Sequence, residues 1–315
     1  MKTNSIIMLT GALFFASCTT QKMNNSLNYP ETKKVIHTDE YFGTKVEDPY
    51  RCLEDDMAAD TKDWVQREVA FTNSYLANIP FREELRSQLK DIWNYEKIGA
   101  PFKEGDYTYF YKNDGLQAQS VLYRTDKNGK TEVFLDPNKF SDKGTTSLAG
   151  VSFNKKGNLV AYRISEGGSD WNKIIIMNAL TKEIIDETIV DVKFSGTSWL
   201  GDEGFYYSSY DKPKGSELSA KTDTHKVYFH KLGTKQSADK LIIGGEDFKR
   251  RYMGIGVSDD ESYEILSASE ATNGNELYIK DLKNKTDFIP VQKGYEFNTD
   301  FIDSNSDIIY ELTDK

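Results

Sequence analysis

The sequence predicts a mainly β protein, a β-propeller preceded by an α-helical segment. Tyr and Phe contribute 19 and 17 residues to an aromatic content of 13%, which is typical of strands with one buried face. After residue 99 the chain consists of short alternating or β-branched runs separated by Gly, Asp, Asn and Lys, the pattern of many short antiparallel strands. A motif that recurs every 45 to 58 residues adds the period of propeller blades.

The first 18 residues have the pattern of an export signal, with Lys2, an apolar run over residues 6–15 and a small-residue end. The run is too short to span a bilayer. Its end reads FASC and resembles the bacterial lipobox, in which the cysteine thiol is acylated, with Phe where an aliphatic residue is usual. Two alternatives stay open, lipid attachment at Cys18 or an ordinary cleaved signal. We expect an exported protein, periplasmic or a cell-envelope lipoprotein, with residues 19–28 as a polar tether.

Charge and cysteine content exclude several classes of protein. The formal net charge of −10 leaves no basic footprint for phosphates, so nucleic acid is not an expected partner. Beyond Cys18 the chain has only Cys52, so no disulfide framework is expected in an exported protein. Cys52 is interpreted as filling a small buried site. The three His residues show no metal-ligand spacing, and neither a metal nor a cofactor is expected.

Two amphipathic helices are predicted after the tether. Over residues 60–79, Trp64, Val65, Val69 and Leu76 recur at helical spacing. Pro80 then opens a second helix, in which the apolar residues share one face and acidic residues occupy the first turn. The members of this second apolar face are Phe81, Leu85, Leu89, Ile92 and Trp93. Both helices need a partner against which to bury these faces.

The recurring motif is a strand, a polar turn and a second strand. Register positions in the second strand are Leu159, Phe205, Tyr263 and Ile308, separated by 46, 58 and 45 residues by subtraction. Candidates for third and fourth strands follow each hairpin, which completes the four-stranded unit of a blade. These candidates lie at residues 171–177, 226–232, 277–282, 240–243 and 287–291. An earlier unit at 107–134 fits the same scheme, so about four blades and part of a fifth are predicted.

Residues 48–55 read DPYRCLED and resemble the DPYRWLE signature near the start of prolyl oligopeptidases, with Cys52 in place of Trp. Five further segments match in collinear order. They read GTKVED at 43–48, WNY at 93–95, SEGGSDW at 165–171, THKVYFHKLGT at 224–234 and NELYIKDL at 275–282. The resemblance covers roughly residues 28–315 and is strongest for the bacterial prolyl endopeptidases.

This resemblance implies a partial seven-bladed β-propeller that caps an α/β-hydrolase domain. In the family, that hydrolase domain is assembled from an N-terminal helical segment and the C-terminal part of the chain. Residues 29–97 would be the helical segment and residues 98–315 the first blades. The implied activity is that of a serine endopeptidase that cleaves short proline-containing peptides after proline, while the propeller excludes folded proteins. The implied partners are such oligopeptides and a C-terminal hydrolase domain that we expect to be missing here.

The residues for acyl transfer by a serine are not found in this sequence. Residues 167–171 read GGSDW and imitate a nucleophile elbow, but Trp171 replaces the second Gly and a β-branched run follows instead of a helix. We therefore predict a hairpin turn. His37, His225 and His230 are interpreted as surface or hydrogen-bonded residues, the last two on opposite faces of one strand. No catalytic residue is assigned, and substrate-binding residues are unknown.

Two charged runs receive structural interpretations. The acidic run at 54–56 invites a general acid and base reading, but it more often marks a solvated loop before a helix. The basic run at 249–251 could face a substrate cavity, but a solvated loop between blades is favoured. Two functions remain: the N-terminal fragment of a prolyl endopeptidase, with the propeller gating access, or a non-catalytic, lipid-anchored propeller that acts as a binding module. The first is favoured, because binding propellers close and this chain ends inside a blade.

Overall fold

The computed structural model describes residues 27–212, 222–305 and 308–315. Contacts divide the chain into two compact units. The first unit comprises the chain up to Cys52 together with Ala59–Asn78, and the second comprises Leu53–Ala58 together with Ile79–Lys315. Across the three described ranges, no helix combines the length and the apolar character that are needed to cross a bilayer.

A two-stranded hairpin opens the first unit. Strands β1 (Thr38–Tyr41) and β2 (Thr44–Glu47) pair antiparallel. The two turn residues, Phe42 and Gly43, have positive φ angles of 51° and 83°. Two successive residues with positive φ give a turn whose twist matches that of the flanking strands. Phe42 is fully exposed and carries the strain of this backbone conformation without packing against the hairpin.

Helix α1 (Ala59–Ala77) forms where the sequence predicts a helix over residues 60–79. Its first turn is held by Asp60, whose carboxylate pairs with Lys33 at 2.6 Å. The indole N–H of Trp64 donates to the Thr32 hydroxyl at 3.0 Å. The predicted apolar face of this helix is only partly covered, since Val65 is about half exposed.

Helix α2 (Arg82–Trp93) belongs to the second unit and begins two residues after Pro80. Phe81 occupies the N-cap position, and Glu83 lies in the first turn, where a carboxylate interacts favourably with the helix dipole. The predicted apolar face exists, but it faces solvent. Its members are exposed by 47% to 67%, and they are Phe81, Leu85, Leu89, Ile92 and Trp93. Such a face is unusual in a monomer and marks an interaction surface.

The first blade is an antiparallel sheet with an interrupted inner strand. Its strands are β3 (Lys97–Ile98), β4 (Phe102–Glu104), β5 (Tyr107–Asn113), β6 (Val121–Thr125) and β7 (Thr131–Leu135). Both β3 and β4 pair with β5, one after the other along its length. The gap between them contains Pro101, which has no N–H to donate to a strand ladder.

Three four-stranded antiparallel sheets follow, each built from consecutive strands. Blade 2 contains β8 (Thr146–Phe153), β9 (Leu159–Glu166), β10 (Trp171–Asn178) and β11 (Ile189–Lys193). Blade 3 contains β12 (Ser198–Leu200), β13 (Gly204–Ser209), β14 (Lys226–Lys231) and β15 (Lys240–Gly244). Blade 4 contains β16 (Tyr252–Val257), β17 (Tyr263–Ser269), β18 (Glu276–Asp281) and β19 (Ile289–Gln292). A two-stranded sheet of β20 (Thr299–Asn305) and β21 (Ile308–Thr313) opens the fifth.

These sheets confirm the predicted fold class, including the number of blades. The register residues Leu159, Tyr263 and Ile308 are the first residues of β9, β17 and β21. Phe205 is the second residue of β13. The repeat in the sequence therefore corresponds to structurally equivalent hairpins. Strands β8 and β16 both contact β12, so the first strand of each of these blades is its inner strand.

Apolar side chains are buried mainly between neighbouring blades. Tyr109 of blade 1 packs edge-on against Phe134 at 5.0 Å and lies 4.7 Å from the ring of Phe153 in blade 2. Trp199 and Phe205 of blade 3 join a core cluster with blade 2 that includes Ile174, which is fully buried. A third cluster, between blades 3 and 4, includes Tyr206, Val227, Met253 and Leu266. Each of these cores is thus built from residues of two adjacent blades.

The turns after the inner strands link successive blades by hydrogen bonds. The amide of Asn154 in blade 2 donates to the Asp202 carboxylate of blade 3 at 2.8 Å. The N–H of Gly201 in blade 3 donates to the Glu261 carboxylate of blade 4 at 2.9 Å. These contacts repeat at equivalent turns. They therefore fix the spacing between the inner strands of neighbouring blades.

We predict that Gly204→Ala destabilises the chain. Gly204 begins β13, and a Cβ placed there would lie far inside van der Waals contact with the backbone carbonyl oxygen of His230. Backbone atoms of a paired strand cannot move aside, so we expect a loss of about 2 kcal/mol or more in the free energy of unfolding.

The matched control is Gly254→Ala in β16, where nothing lies within 4 Å of the added Cβ. Urea unfolding followed by tryptophan fluorescence measures both variants. Equal midpoints for the two variants would contradict the close approach of the β13 and β14 backbones.

Candidate functional site

Three aromatic side chains, one from the linker before blade 3, one from blade 3 and one from blade 4, lie close together. Phe194 follows β11 in the linker to β12, Tyr210 follows β13, and Tyr252 is the first residue of β16. We call Phe194, Tyr210 and Tyr252 the aromatic platform. Phe194 and Tyr252 are about half exposed, whereas Tyr210 is buried.

The platform rings contact one another edge to face. The ring centroid of Phe194 lies 6.2 Å from that of Tyr210 and 5.6 Å from that of Tyr252, with interplanar angles of 85° and 72°. This geometry brings the positive edge of one ring to the negative face of another. The rings therefore hold each other in position while leaving the outer surfaces of Phe194 and Tyr252 open to solvent.

The backbone at Phe194 is strained. Its φ angle is 51°, in the left-handed region that bulky side chains rarely adopt. Asp191, three residues earlier, has a φ angle of 56°. Such conformations cost on the order of 1–3 kcal/mol each, and they persist where the surrounding structure enforces them. Here the residue with the strained backbone has a side chain that is about half exposed to solvent.

A buried lysine supports the platform from its side. The ammonium of Lys193 lies 5.0 Å from the ring centroid of Trp171 and 5.1 Å from that of Phe194. Both distances are within the range of cation–π attraction. Lys193 is only 9% exposed. The aromatic surface at this site thus carries a positive charge beneath it.

Hydrogen bonds fix the linker that carries Phe194. The guanidinium of Arg163 donates to the carbonyl of Ser195. The Ser195 hydroxyl accepts from the N–H of Ser208 at 2.7 Å. Burial lowers the pKa of Arg163 below its ordinary value, yet the guanidinium stays charged because its ordinary pKa is so high. The linker is therefore tied to blades 2 and 3.

The platform offers contact surface without a nucleophile. Burial, with smaller contributions from Tyr252 and Asp223, raises the pKa of Tyr210 to about 12. Its phenol is therefore neutral at physiological pH and can donate a hydrogen bond. Two exposed apolar rings beside a neutral phenol and a buried ammonium suit an extended peptide with an apolar ring or side chain.

A second, polar cavity of about 460 Å³ lies at the opposite ends of the inner strands. Its lining includes Glu104, Ser152, Asp259 and Glu261. Burial, together with the charge of Asp259, raises the pKa of Glu104. Among the described residues no three carboxylate, His or Cys side chains converge as a metal-binding group. This cavity is acidic, and it contains none of the platform residues.

The predicted hairpin turn at residues 167–171 is confirmed. It joins β9 to β10, which pair antiparallel. Gly167 and Gly168 both have positive φ angles. The Ser169 hydroxyl accepts from the N–H of Trp171 at 3.1 Å, so it serves the turn. No strand-to-helix elbow is formed here.

The three histidines occupy different environments, and none lies beside Ser169. His37 is part-exposed and lies 3.2 Å from the Asp39 carboxylate. His225 and His230 are both fully buried, and His225 directly precedes β14 rather than lying within it. Each is hydrogen-bonded, His225 to backbone groups and His230 to the Asp239 carboxylate at 2.7 Å.

The pKa of His230 reflects two opposing effects. Burial alone would lower this pKa, but the hydrogen bond to Asp239 and the charges of Asp239 and Asp186 outweigh burial and raise it. Asp186 approaches the other ring nitrogen at 3.5 Å. The phenol of Tyr207 donates to Asp239 at 2.8 Å. This buried cluster joins blade 2 to blade 3. The His230 side chain has no surface exposed to solvent.

The charged runs have the structural roles predicted for them. In the acidic run, the Asp55 carboxylate accepts from the N–H groups of Met57 and Ala58 and forms a turn. The basic run lies in the loop between blades 3 and 4, directly before Tyr252. There, Lys249 pairs with Glu246 at 2.6 Å. The run lies in the predicted loop between blades, and this loop leads directly into Tyr252 of the platform.

The predictions for the two cysteines have different outcomes. Cys18 lies outside the described residues. Cys52 was expected in a buried site, but it is half-buried, and its thiol lies 3.9 Å from the Lys33 carbonyl. The short 3₁₀ turn Arg51–Glu54 that contains it has no fully buried residue.

Sequence reasoning missed the platform. Phe194 lies in the motif DVKFSG, directly before a predicted blade hairpin, where polar turn residues are usual. An aromatic residue in a linker was the only available signal. Neither its positive φ angle nor its contacts with Tyr210 and Tyr252 follow from local sequence.

Comparisons with known proteins agree with this fold. Residues 29–315 match the family model described as prolyl oligopeptidase, N-terminal beta-propeller domain. Over its whole length, the chain is 70% identical to a prolyl endopeptidase of Elizabethkingia meningoseptica and 69% identical to one of Elizabethkingia miricola. It spans 45% of the length of each of these relatives.

Solved structures give the same result. Prolyl oligopeptidase B from Galerina marginata, bound to a 35mer hydrolysis and macrocyclization substrate, superposes with a TM-score of 0.77 at 25% identity. That match covers 91% of this chain and 45% of the other. The structure therefore defines an N-terminal peptidase propeller. The chain belongs to the prolyl oligopeptidase family.

We predict that Phe194→Gly is more stable than Phe194→Ala, by about 1 kcal/mol in the free energy of unfolding. Both variants lose the ring, but only glycine adopts a positive φ angle without strain. The same order is expected at Phe42, which has the same φ angle of 51°.

Phe110→Gly and Phe110→Ala in β5 provide the control, because glycine in a regular strand is the less stable choice. Urea midpoints measure all six variants. If Phe194→Gly proved less stable than Phe194→Ala, the backbone at Phe194 would not be strained.

Proposed function

We propose that this chain acts as the N-terminal part of a serine-type prolyl endopeptidase, which cleaves short peptides after proline. The observation that carries the proposal is 70% identity over the whole chain with a prolyl endopeptidase, of which the chain spans 45%. In this proposal residues 29–97 belong to the hydrolase domain, and residues 98–315 form a propeller that gates access. The nucleophile, its base and its carboxylate come from the remaining part of the enzyme.

The exposed face of α2 supports this proposal. A groove of about 470 Å³ runs along the helix, with Leu85, Leu89 and Trp93 on its apolar side and Arg82 and Arg86 at its edge. Leu85 and Leu89 are nearly half exposed. Burial of the exposed half of each leucine would contribute on the order of 1 kcal/mol, about half of the value for a whole side chain. A hydrolase domain that covered this groove would bury these side chains and be stabilised by that contact.

Reconstitution with the remaining part of the Elizabethkingia meningoseptica relative tests the proposal. Alone, the chain is expected to leave a fluorophosphonate probe unreacted, because its sequence contains no GxSxG elbow. Mixed with that part, it should restore cleavage of a chromogenic proline peptide. The double variant Leu85→Glu, Leu89→Glu should weaken assembly on the order of 100-fold or more.

Leu241→Glu is the control, because Leu241 is equally exposed on β15, away from the α2 groove. It should assemble like the wild type. Labelling of the isolated chain at any serine, or full activity of the double variant, would contradict the proposal.

We also propose that the aromatic platform contacts the peptide substrate. Aromatic rings supply large contact area at little cost in side-chain entropy, and grooves lined by them bind proline-rich segments. The rings are held rigidly, since Tyr210 is buried and Phe194 and Tyr252 pack against each other. A rigid surface loses little entropy on binding.

Calorimetric titration of the chain with a blocked hexapeptide that contains a central Ala-Pro pair tests this role. Phe194→Ala should raise the dissociation constant about tenfold, since an aromatic contact contributes about 0.5–1.5 kcal/mol beyond its burial. Phe42→Ala, with the same backbone strain but no ring contacts, should bind like the wild type. Equal affinity of Phe194→Ala and the wild type would remove the platform from substrate binding.

We further propose that the chain is exported and anchored to the membrane through a lipid on Cys18. The support is the apolar run at residues 6–15, followed by FASC. Two hydrophobic signals are needed for stable anchoring, so more than one acyl chain is expected. This places the peptidase in the cell envelope.

Metabolic labelling with an alkyne fatty acid tests the anchor. The wild type should carry the label, and Cys18→Ala should not. Cys52→Ala is the control and should be labelled like the wild type, because Cys52 lies far beyond the signal segment. Label on Cys18→Ala would place the lipid at another residue and contradict the proposal, and an unlabelled wild type would favour an ordinary cleaved signal.

A further inference from the structure

His225 lies directly beneath the aromatic platform. It precedes β14 and is 0% exposed. Its ring stacks on Tyr210 with centroids 4.5 Å apart and an interplanar angle of 26°. It meets Tyr252 edge to face at 6.4 Å. One imidazole therefore contacts two of the three platform rings.

The two ring nitrogens bond to the backbone on both sides of the platform. Nε2 lies 3.1 Å from the carbonyl oxygen of Lys193, the residue before Phe194. Nδ1 lies 2.9 Å from the backbone nitrogen of Met253, the residue after Tyr252. His225 thus connects the last residue of β11 in blade 2 to the inner strand of blade 4 across blade 3.

These partners determine the tautomer of His225. A carbonyl oxygen can only accept a hydrogen bond, so Nε2 carries the proton. A backbone N–H can only donate, so Nδ1 is unprotonated and accepts. Burial lowers the pKa of His225, against a smaller opposite effect of the Lys193 carbonyl. The ring is therefore neutral, with both nitrogens satisfied.

The backbone of His225 is held as firmly as its ring. Its carbonyl accepts from the N–H of Gly245 at 3.0 Å. Gly244 has a φ angle of 117°, and a Cβ there would clash with the same carbonyl. Glycine at this position lets the end of β15 approach His225. The imidazole is thereby placed by its own blade before it contacts the other two.

We infer that His225 is the positioning residue of the aromatic platform, bridging the Lys193 carbonyl and the Met253 N–H so that Phe194 and Tyr252 face the peptide together. This inference rests on the proposed role of the platform in peptide binding. The imidazole sets the spacing of two segments that share no strand ladder. No other side chain type supplies a donor and an acceptor on one flat ring that also stacks on Tyr210.

His230, in the strand that directly follows His225, provides a matched control. It is also 0% exposed and lies five residues further along, near the other end of β14. It packs on Phe205 at 5.4 Å and bonds to Asp239, away from the platform. A variant at His230 should therefore lower stability without moving the platform rings.

The experiment places 4-fluorophenylalanine at position 194 in the full chain and records its ¹⁹F resonance. His225→Phe keeps a stacked ring but removes both hydrogen bonds, and the resonance should shift and broaden. His225→Gln retains a donor toward the Lys193 carbonyl and should lie between that variant and the wild type. His230→Asn should leave the resonance unchanged, although its urea midpoint falls.

Peptide affinity gives a second measurement, with the same blocked Ala-Pro hexapeptide. We expect the dissociation constant to rise about tenfold for His225→Phe and to stay within about twofold of the wild type for His230→Asn. If His225→Phe does not fold, His225→Gln decides by the same two measurements.

Each outcome separates this inference from the platform's proposed role. An unchanged ¹⁹F resonance in a folded His225 variant, or an equal change in His230→Asn, would overturn the positioning role. If Phe194→Ala binds peptide like the wild type while the resonance still responds to His225, the positioning role stands and the peptide-binding role fails.

Discussion

A blade of this propeller can bury its apolar faces only against its neighbours, and the rest of the structure depends on that packing. Tyr109 reaches Phe153 across the first junction, and the cluster around Tyr206 includes Met253 across the third. Hydrogen bonds between turns, such as that from Asn154 to Asp202, repeat at the inner ends. Stability is therefore shared by nearest neighbours along the chain, as in other repeat folds.

The junctions also contain buried polar groups that pair from one blade to the next. His230 lies between Asp239 and Asp186, where blade 2 meets blade 3. Glu264 of blade 4 accepts from the Tyr206 phenol of blade 3 at 2.5 Å and pairs with Lys280 at 2.9 Å. Unpaired charges would be costly in these places. Such pairs form only when adjacent blades have one particular relative position. Apolar packing alone defines this position less sharply.

The platform uses this rigidity. Strain at Phe194 is tolerated because the residues on both sides of it are tied to the scaffold, Lys193 through His225 and Ser195 through Arg163. The chain belongs to the prolyl oligopeptidase family, and prolyl oligopeptidase B from Galerina marginata, which shares the fold, has been solved bound to a 35mer hydrolysis and macrocyclization substrate.

The sequence by itself determined the fold class, the number of blades and the hairpin register, because strand alternation and turn residues are local signals that repeat with each unit. It also determined that no serine elbow is present, since that motif is contiguous. The half-buried state of Cys52, the burial of His225 and His230, and the platform were decided only by tertiary structure. Phe194, Tyr210 and Tyr252 are distant in sequence, and they meet because successive blades bring separate linkers together around one buried imidazole.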